Sequence, residues 1–308
     1  MNLTVILATC RPTDLANTLD SLANCKLPSN FCQTIVIENG TPKPSLDDVI
    51  QNASADLKIN YMHCPVGNKS YALNVAIQSL DENHLLFLTD DDVQFDPDIF
   101  THYCDAAKNH QSGLVIGGTI VPDSDSPPEP EMLPFLARSM TGYPRFDQDL
   151  ARPFFIGSNW AVFSDDVKRL GGFDPRFGPG SLFRSSGQES QMMRTMRYAG
   201  FEFIFLKPAV VYHKIEPHHY SVKFNKDRRY RNGIESAIAY RLNPAIKTKR
   251  FPRRIIADLF FCTAIYPFAA IFASKTFSYK MLFNSRYAIG FLRAWFFKIP
   301  DKNYLDDQ

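Results

Sequence analysis

Three consecutive carboxylates, Asp90-Asp91-Asp92, close an apolar run that reads His84-Leu85-Leu86-Phe87-Leu88-Thr89. The run has the length and composition of a buried strand. Open α/β sheets bind ligands outside the carboxyl ends of their strands. Three adjacent acids repel one another, so something positive must sit among them. Residues i and i+2 of extended backbone share a face, so Asp90 and Asp92 are expected to point together and Asp91 away. Two carboxylates on one face suit a hard cation, Mn²⁺ or Mg²⁺, that also holds phosphate oxygens. The competing reading is a solvated acidic turn capping a helix near Asp96. The buried strand before the triplet, and the polar residues that end the neighbouring strands, outweigh it.

Those neighbours come in βαβ order. Leu3 to Ala8 predicts a first strand, followed by Thr9-Cys10-Arg11-Pro12 and a helix capped by Thr13 with Leu15, Leu19 and Leu22 at helical spacing. Thr34 to Ile37 predicts a second strand, which ends in Glu38-Asn39-Gly40. Lys58 to Met62 predicts a third, and Gly67-Asn68-Lys69-Ser70 opens a helix carrying Leu73, Ala76, Ile77 and Leu80. Alternation of this kind implies a mostly parallel sheet flanked by helices. Thr9, Arg11, Glu38, Asp90 and Asp92 then fall along one edge, where a nucleotide would fit. Neither GxGxxG nor GxxxxGK[ST] occurs, so side chains and a metal would have to hold it. Glu38 could accept from a base edge and Asp90 from a ribose hydroxyl. An exposed acid at a strand end is the alternative reading of Glu38, and position alone does not choose between them.

Further along, Pro122 to Pro134 reads as a surface loop bordering the cleft. Phe154 to Phe163 is apolar, broken by Gly157-Ser158-Asn159, where backbone could approach a ligand closely. Gln188-Glu189 starts a helix with Met192, Met193, Met196 and Tyr198 at core spacing, ended by Gly200. Phe201 to Phe205 and Ala209 to Tyr212 suggest two more strands, the second leading into His213. His213, His218 and His219 lie close in sequence, but no cysteine or acid completes a zinc spacing.

Composition sets the outer limits. The 308 residues can bury a large core, and 45% hydrophobic with 21% charged residues is ordinary for a folded protein. A net charge of +2 gives no reason to expect a nucleic-acid partner. Six cysteines without a CxxC pair suggest reduced thiols and a cytoplasmic setting, and Met1 to Val5 reads as the start of a strand rather than a signal peptide.

Beyond Lys214 the composition shifts, and residues 1–215 and 216–308 are expected to form a catalytic domain and a helical C-terminal region. Lys223, Lys226, Arg228, Arg229 and Arg231 form a basic segment suited to the donor diphosphate or an anionic lipid head group, with a solvated helix face as the alternative. Lys247, Lys249, Arg250, Arg253 and Arg254 precede an apolar stretch, Ile255 to Ala273, interrupted by Pro267. A spanning helix needs about 20 apolar residues without such breaks. An interfacial or re-entrant segment on an anionic cytoplasmic leaflet is therefore expected, with a buried core helix or a dimer contact as the alternatives. Phe291 to Phe297, with Arg293, Trp295 and Lys298, suits the same interface.

The ordered set Thr9-Cys10-Arg11-Pro12, Glu38-Asn39-Gly40, Gly67 to Asn74, Asp90-Asp91-Asp92, Gly157 to Ala161, Gly171-Gly172-Phe173-Asp174, Gly187-Gln188-Glu189 and Val211-Tyr212-His213 resembles family 2 glycosyltransferases over residues 1–215. The resemblance implies the GT-A nucleotide-diphospho-sugar transferase fold, with a partly membrane-interacting helical extension, and an inverting hexosyltransferase that uses Mn²⁺ or Mg²⁺. It implies that Thr9, Arg11 and Glu38 line a nucleoside pocket and that Lys69 lies near the diphosphate or base. Asp90 and Asp92 would contact ribose and metal, Asp91 belonging to the same donor-binding set. His213 would complete the metal site with Asp92. Gly157, Ser158, Asn159 and Trp160 would shape the sugar and acceptor pocket. Glu189 falls at the position of the catalytic base, although the family's Glu-Asp pair is Gln188-Glu189 here. The implied partners are a nucleotide-sugar donor, expected to be a UDP-sugar, a lipid-linked sugar or polysaccharide acceptor, and a membrane surface at the cytoplasmic face. Two other readings stand beside it: a sugar-phosphate nucleotidyltransferase, whose glycine-rich loop is missing, and a non-catalytic carbohydrate-binding relative.

Overall fold

The computed structural model describes residues 1–306 apart from Cys10, Pro244 and Lys247. Cys10 of the first motif and Lys247 of the second basic segment therefore lie outside the described residues. Eight strands, β1 (Asn2–Thr9), β2 (Phe31–Asn39), β3 (Ile59–Cys64), β4 (His84–Thr89), β5 (Val93–Phe95), β6 (Leu114–Asp123), β7 (Trp160–Phe163) and β8 (Glu202–Lys214), form one sheet in the order β3-β2-β1-β4-β7-β6-β8-β5. The helices are α1 (Pro12–Ala23), α2 (Ser45–Asn52), α3 (Lys69–Gln78), α4 (Ile99–Ala107), the short α5 (Arg138–Thr141), α6 (Asp147–Ala151) and α7 (Ser164–Arg169), then α8 (Gln188–Tyr198), α9 (Val222–Leu242), α10 (Arg254–Phe272) and α11 (Lys275–Phe296).

β1 to β4 are mutually parallel, and β7 runs antiparallel between β4 and β6. Strand alternation splits the core between the two faces. Leu3, Val5, Leu7, Leu85 and Phe87 join one layer, which includes Leu15, Leu19 and Leu22 of α1 and Ile99, Phe100 and Tyr103 of α4. Ile6, Ala8, Leu86 and Leu88 join the other, with Leu73, Ala76 and Ile77 of α3 and Met192, Met193 and Met196 of α8. Every residue of β4 is buried, which is why Leu85 to Leu88 are apolar without interruption.

The chain leaves β1 for β2 and β3 on one side, then returns to place β4 on the other. The crevice between the carboxyl ends of β1 and β4 is thus the topological switch point, where such sheets take ligands. Thr9 and Arg11 follow one strand; Asp90, Asp91 and Asp92 follow the other.

Several expected details differ. α1 starts at Pro12, with Arg11 at the cap position and no side-chain cap bond, so Thr13 is not the cap. Tyr198 is 70% exposed rather than core, because at 3.6 residues per turn it falls on the side of α8 opposite the Met192, Met193 and Met196 face. β8 is one strand where two apolar runs suggest two; a shift of register opposite Gly118 and Thr119 carries it past Pro208. α10 is a continuous helix through Pro267, and it is neither a buried core helix nor broken. Phe291 is buried and Trp295 packs on Phe251, whereas Phe296 and Phe297 are exposed. Of the second aromatic stretch, only its last two phenylalanines are free for an interface.

Candidate active site

Arg11 and Lys69 supply the positive charge that the aspartate triplet requires. The Arg11 guanidinium is hydrogen-bonded to Asp91 and lies 2.9 Å from Asp92 Oδ2. Lys69, the first residue of α3, lies 2.5 Å from Asp90 Oδ1 and 3.6 Å from Glu189 Oε1. β4 ends at Thr89, so the strict alternation does not carry through the triplet. Asp90 turns to Lys69, while Asp91 and Asp92 both face Arg11, unlike the expected pairing of Asp90 with Asp92.

Asp91 is buried, accepting from Thr9 Oγ1 at 2.6 Å as well as from Arg11. Thr18 of α1 donates to the Asp91 carbonyl at 2.8 Å and accepts from Val93 N, which fixes the turn after β4. Burial pushes the Asp91 carboxyl upward, and Arg11 opposes that. Burial works the same way on Asp90, but Lys69 outweighs it and holds that carboxyl below its ordinary range.

His213 reaches the site through β8. It pairs with Val93 across the antiparallel β5–β8 ladder, and Lys214 N donates to the Asp92 carbonyl at 3.0 Å. His213 Nε2 then stands 3.5 Å from Asp92 Oδ1, an oxygen that is buried and has no hydrogen-bond partner. Among the described residues no three His, Cys, Asp or Glu side chains converge on one point. The four carboxylates Asp90, Asp91, Asp92 and Glu189 are matched here by two cations, Arg11 and Lys69, which leaves two negative charges with His213 uncounted. An orphaned carboxylate oxygen facing an imidazole, with two residual negative charges, fits a divalent cation that takes its remaining ligands from a diphosphate.

Glu189 sits in the first turn of α8, whose cap, Gly187, has φ 83°. Burial raises its carboxyl above the ordinary range; Lys69 pulls it back and Asp90 pushes it further up. Gln188, itself buried, donates Nε2 to Glu189 Oε1 at 2.7 Å. Gln188, the departure from a Glu-Asp pair, thus gives the glutamate a hydrogen-bond donor in place of a second buried acid. A Cβ at Gly157 would overlap the Glu189 carboxylate, so Gly157 makes room for that carboxylate.

The expected sugar pocket is only partly present. Gly157 lines a cavity of about 540 Å³ together with Glu189. Ser158, Asn159 and Trp160 are fully buried and do not line it. Asn159 donates to the Thr119 and Ala209 carbonyls and accepts from Tyr103, so it ties β6 and β8 to α4, and Trp160 packs edge-on against Phe173 at the start of β7. Glu38 is buried too, both oxygens engaged by Lys43 N at 2.7 Å and Tyr61 Oη at 2.5 Å. The exposed strand-end acid that its sequence position suggests does not exist. Burial, followed by the Glu38 hydrogen bond, pushes the Tyr61 phenol up to about 12.

An aspartate triplet at the switch point of a mixed α/β sheet, with a half-buried glutamate across the cleft, defines a nucleotide-sugar transferase of the GT-A fold. The fold is shared with a mannosyltransferase of Pyrobaculum calidifontis solved with GDP-mannose and Mn²⁺, at a TM-score of 0.61 and 15% identity, covering 94% of this chain and 87% of that one. Residues 4–171 match the family described as glycosyl transferase family 2, and the chain belongs to that family. It is 24% identical over 244 residues to the succinoglycan biosynthesis protein ExoM of Rhizobium meliloti, covering 76% of this chain and 73% of that protein. It is also 24% identical over 176 residues to a glucosyl-dolichyl phosphate glucuronosyltransferase of Haloferax volcanii, covering 54% of this chain and 55% of the relative. The protein is a glycosyltransferase, and the nucleotidyltransferase and non-catalytic readings fall away.

Proposed function

We propose that the protein moves a sugar, with inversion, from a nucleoside diphosphate donor to a hydroxyl of a lipid-linked sugar or polysaccharide. The observation that carries this reading is the Lys69 ammonium between Asp90 and Glu189: one cation links the donor edge of the sheet to a raised-pKa carboxylate. Asp92 and His213 are the residues that would hold Mn²⁺ or Mg²⁺. When bound there, the ion would offset charge gathering on the departing diphosphate.

The chain's own groups do the rest. Asp90 and Arg11 orient the nucleoside side of the donor. Asp91 and Glu38, buried and internally bonded, position Arg11 and the end of β2 rather than touching the ligand. Glu189 accepts the acceptor hydroxyl proton as that oxygen attacks the anomeric carbon from the face opposite the diphosphate. Burial suits it to this work, since a base is most effective when its pKa nears the working pH. The relatives' names, in succinoglycan biosynthesis and on a dolichyl phosphate, agree with a lipid-linked or polysaccharide acceptor. The exposed apolar helix α10 supports a membrane surface as the working environment, with residues 216–308 as the region that docks the catalytic domain there.

Glu189→Gln keeps the shape and removes the base. Turnover should fall by at least ~10²-fold while nucleotide affinity with Mn²⁺, measured by calorimetry, stays within about twofold. Near-normal turnover would remove Glu189 from this role.

A further inference from the structure

The cavity beside Glu189 holds two arginines that no acid among the described residues neutralises. Arg228 and Arg229 lie on one face of α9 with Asn232, Glu235 and Ser236, a spacing that turns all five to the cavity. Among the described residues neither arginine forms an ion pair, and the Nε atoms of both are buried without a hydrogen-bond partner. Arg228 donates only to the Phe135 carbonyl, at 2.7 Å; Arg229 donates to none of the described residues. The other charged residues lining the cavity are already engaged: Arg138 by Asp149 at 2.7 Å, Glu235 by Ser186 at 2.8 Å and Arg194 at 3.5 Å, and Glu189 by Lys69. Burial lowers both guanidinium pKa values, Arg228 to about 10, and the two arginines share a cavity with Glu189 without pairing with it. Adjacent, half-buried and unpaired guanidinium groups are costly to keep unless an anion visits them.

We infer that Arg228 and Arg229 form an anion subsite of the acceptor pocket, which seats a phosphate group borne by the acceptor while its hydroxyl lies at Glu189. The inference rests on Glu189 as the base. It places the anion on the acceptor rather than the donor because Glu189 lines this cavity whereas Asp90, Asp92 and His213 do not. A planar fork from each arginine matches phosphate oxygens in two-bond geometry. A phosphate monoester or a diphosphate also brings the two negative charges that match a pair of cations.

The test uses the full chain with UDP or GDP and Mn²⁺ at saturation, so that the diphosphate site is filled. Calorimetry then follows two probes, dodecyl phosphate in neutral detergent micelles and soluble glucose 1-phosphate. Arg229→Gln breaks no bond within the protein; Arg228→Gln is added for the double variant. Loss of charge-assisted bonds should weaken phosphate binding about 10-fold or more in each, with nucleotide affinity unchanged. Stronger binding of dodecyl phosphate places the phosphate on a lipid, and equal binding places it on a soluble glycosyl phosphate; either supports the subsite. Unchanged phosphate binding in both variants overturns it, as does a parallel loss of nucleotide affinity, which would give the arginines to the donor. Glu189→Gln should retain phosphate binding, so that a failure of the base assignment reads out separately as unaltered turnover in that variant.

Discussion

At the residue scale the decisive group is Glu189, because activity and stability pull it in opposite directions. Burial holds its folded pKa above the unfolded value, with Lys69 pulling it down and Asp90 up. A base works ionised, so activity should fall as pH drops through that raised value, placing the acid limb of kcat/KM above the ~4.3 of a free glutamate. The stability contribution has the other sign. It is fully present below the unfolded pKa, where the carboxyl is neutral, and is lost as pH rises through the folded one. Lys69→Met removes the pull downward, so the acid limb should move to higher pH in that variant. A limb that stays put, or shifts downward, would mean that Lys69 does not govern this carboxylate. Strand–helix alternation was enough to bring Thr9, Arg11 and the aspartates to one edge of the sheet; Lys69 and Glu189 were legible only through the family resemblance. Neither could give their pairings. Asp91 turning to Arg11, the burial of Glu38, and Gly157 as room for Glu189 all depend on where a strand stops or on a neighbour more than 20 residues away.

At the element scale the site depends on how α3 is anchored. Asn68 accepts from Tyr71 N at 2.9 Å as the cap of α3 and donates to the Pro175 carbonyl, Lys69 N donates to the Pro179 carbonyl, and Ser70 Oγ to the Phe177 carbonyl. Three consecutive residues thus moor the helix that presents Lys69 to the loop that leads into α8 and Glu189. A Cβ at Gly180 would overlap the Gly67 carbonyl, so the two segments touch backbone to backbone. Asn68→Ala removes a cap and one of the two hydrogen bonds to the Pro175 carbonyl, which also accepts from Tyr304 Oη at 3.2 Å. It should cost about 1–3 kcal/mol, read as a lower urea midpoint at unchanged slope. A loss under about 0.5 kcal/mol would show that the loop holds without it. Asn68 was legible as part of a helix-opening motif. Its partner loop was not, because a glycine-rich stretch announces a turn without saying what it will meet. The same limit explains β8: periodicity sees two apolar runs, and only pairing with β6 joins them.

At the scale of the whole molecule, α10 is the element that the protein itself does not cover. Its 19 residues rise about 28 Å at 1.5 Å each, close to the ~30 Å of a hydrocarbon core. Only Cys262 and Ala269 are buried, against α11, while Phe260, Phe261, Phe268, Ile271 and Phe272 are each more than half exposed. A helix apolar all round calls for an apolar environment all round. An in-plane amphipathic helix would instead show a charged face, and α10 has none past Asp258. Arg250, Arg253 and Arg254 stand at its entry, where an anionic surface would meet them. Apolar burial and surface charge respond differently to salt, because at 1 M salt the Debye length falls to about 3 Å. Co-sedimentation of the full chain with vesicles containing anionic lipid should therefore survive 1 M salt. Replacing Phe260, Phe268 and Phe272 with Ser should abolish it, each buried phenylalanine being worth about 1.5–3 kcal/mol. These side chains touch little in the fold, so the melting temperature of the triple variant should barely change. Release of the wild-type chain by salt, with the triple variant bound equally at low salt, would assign attachment to the basic entry instead of the helix.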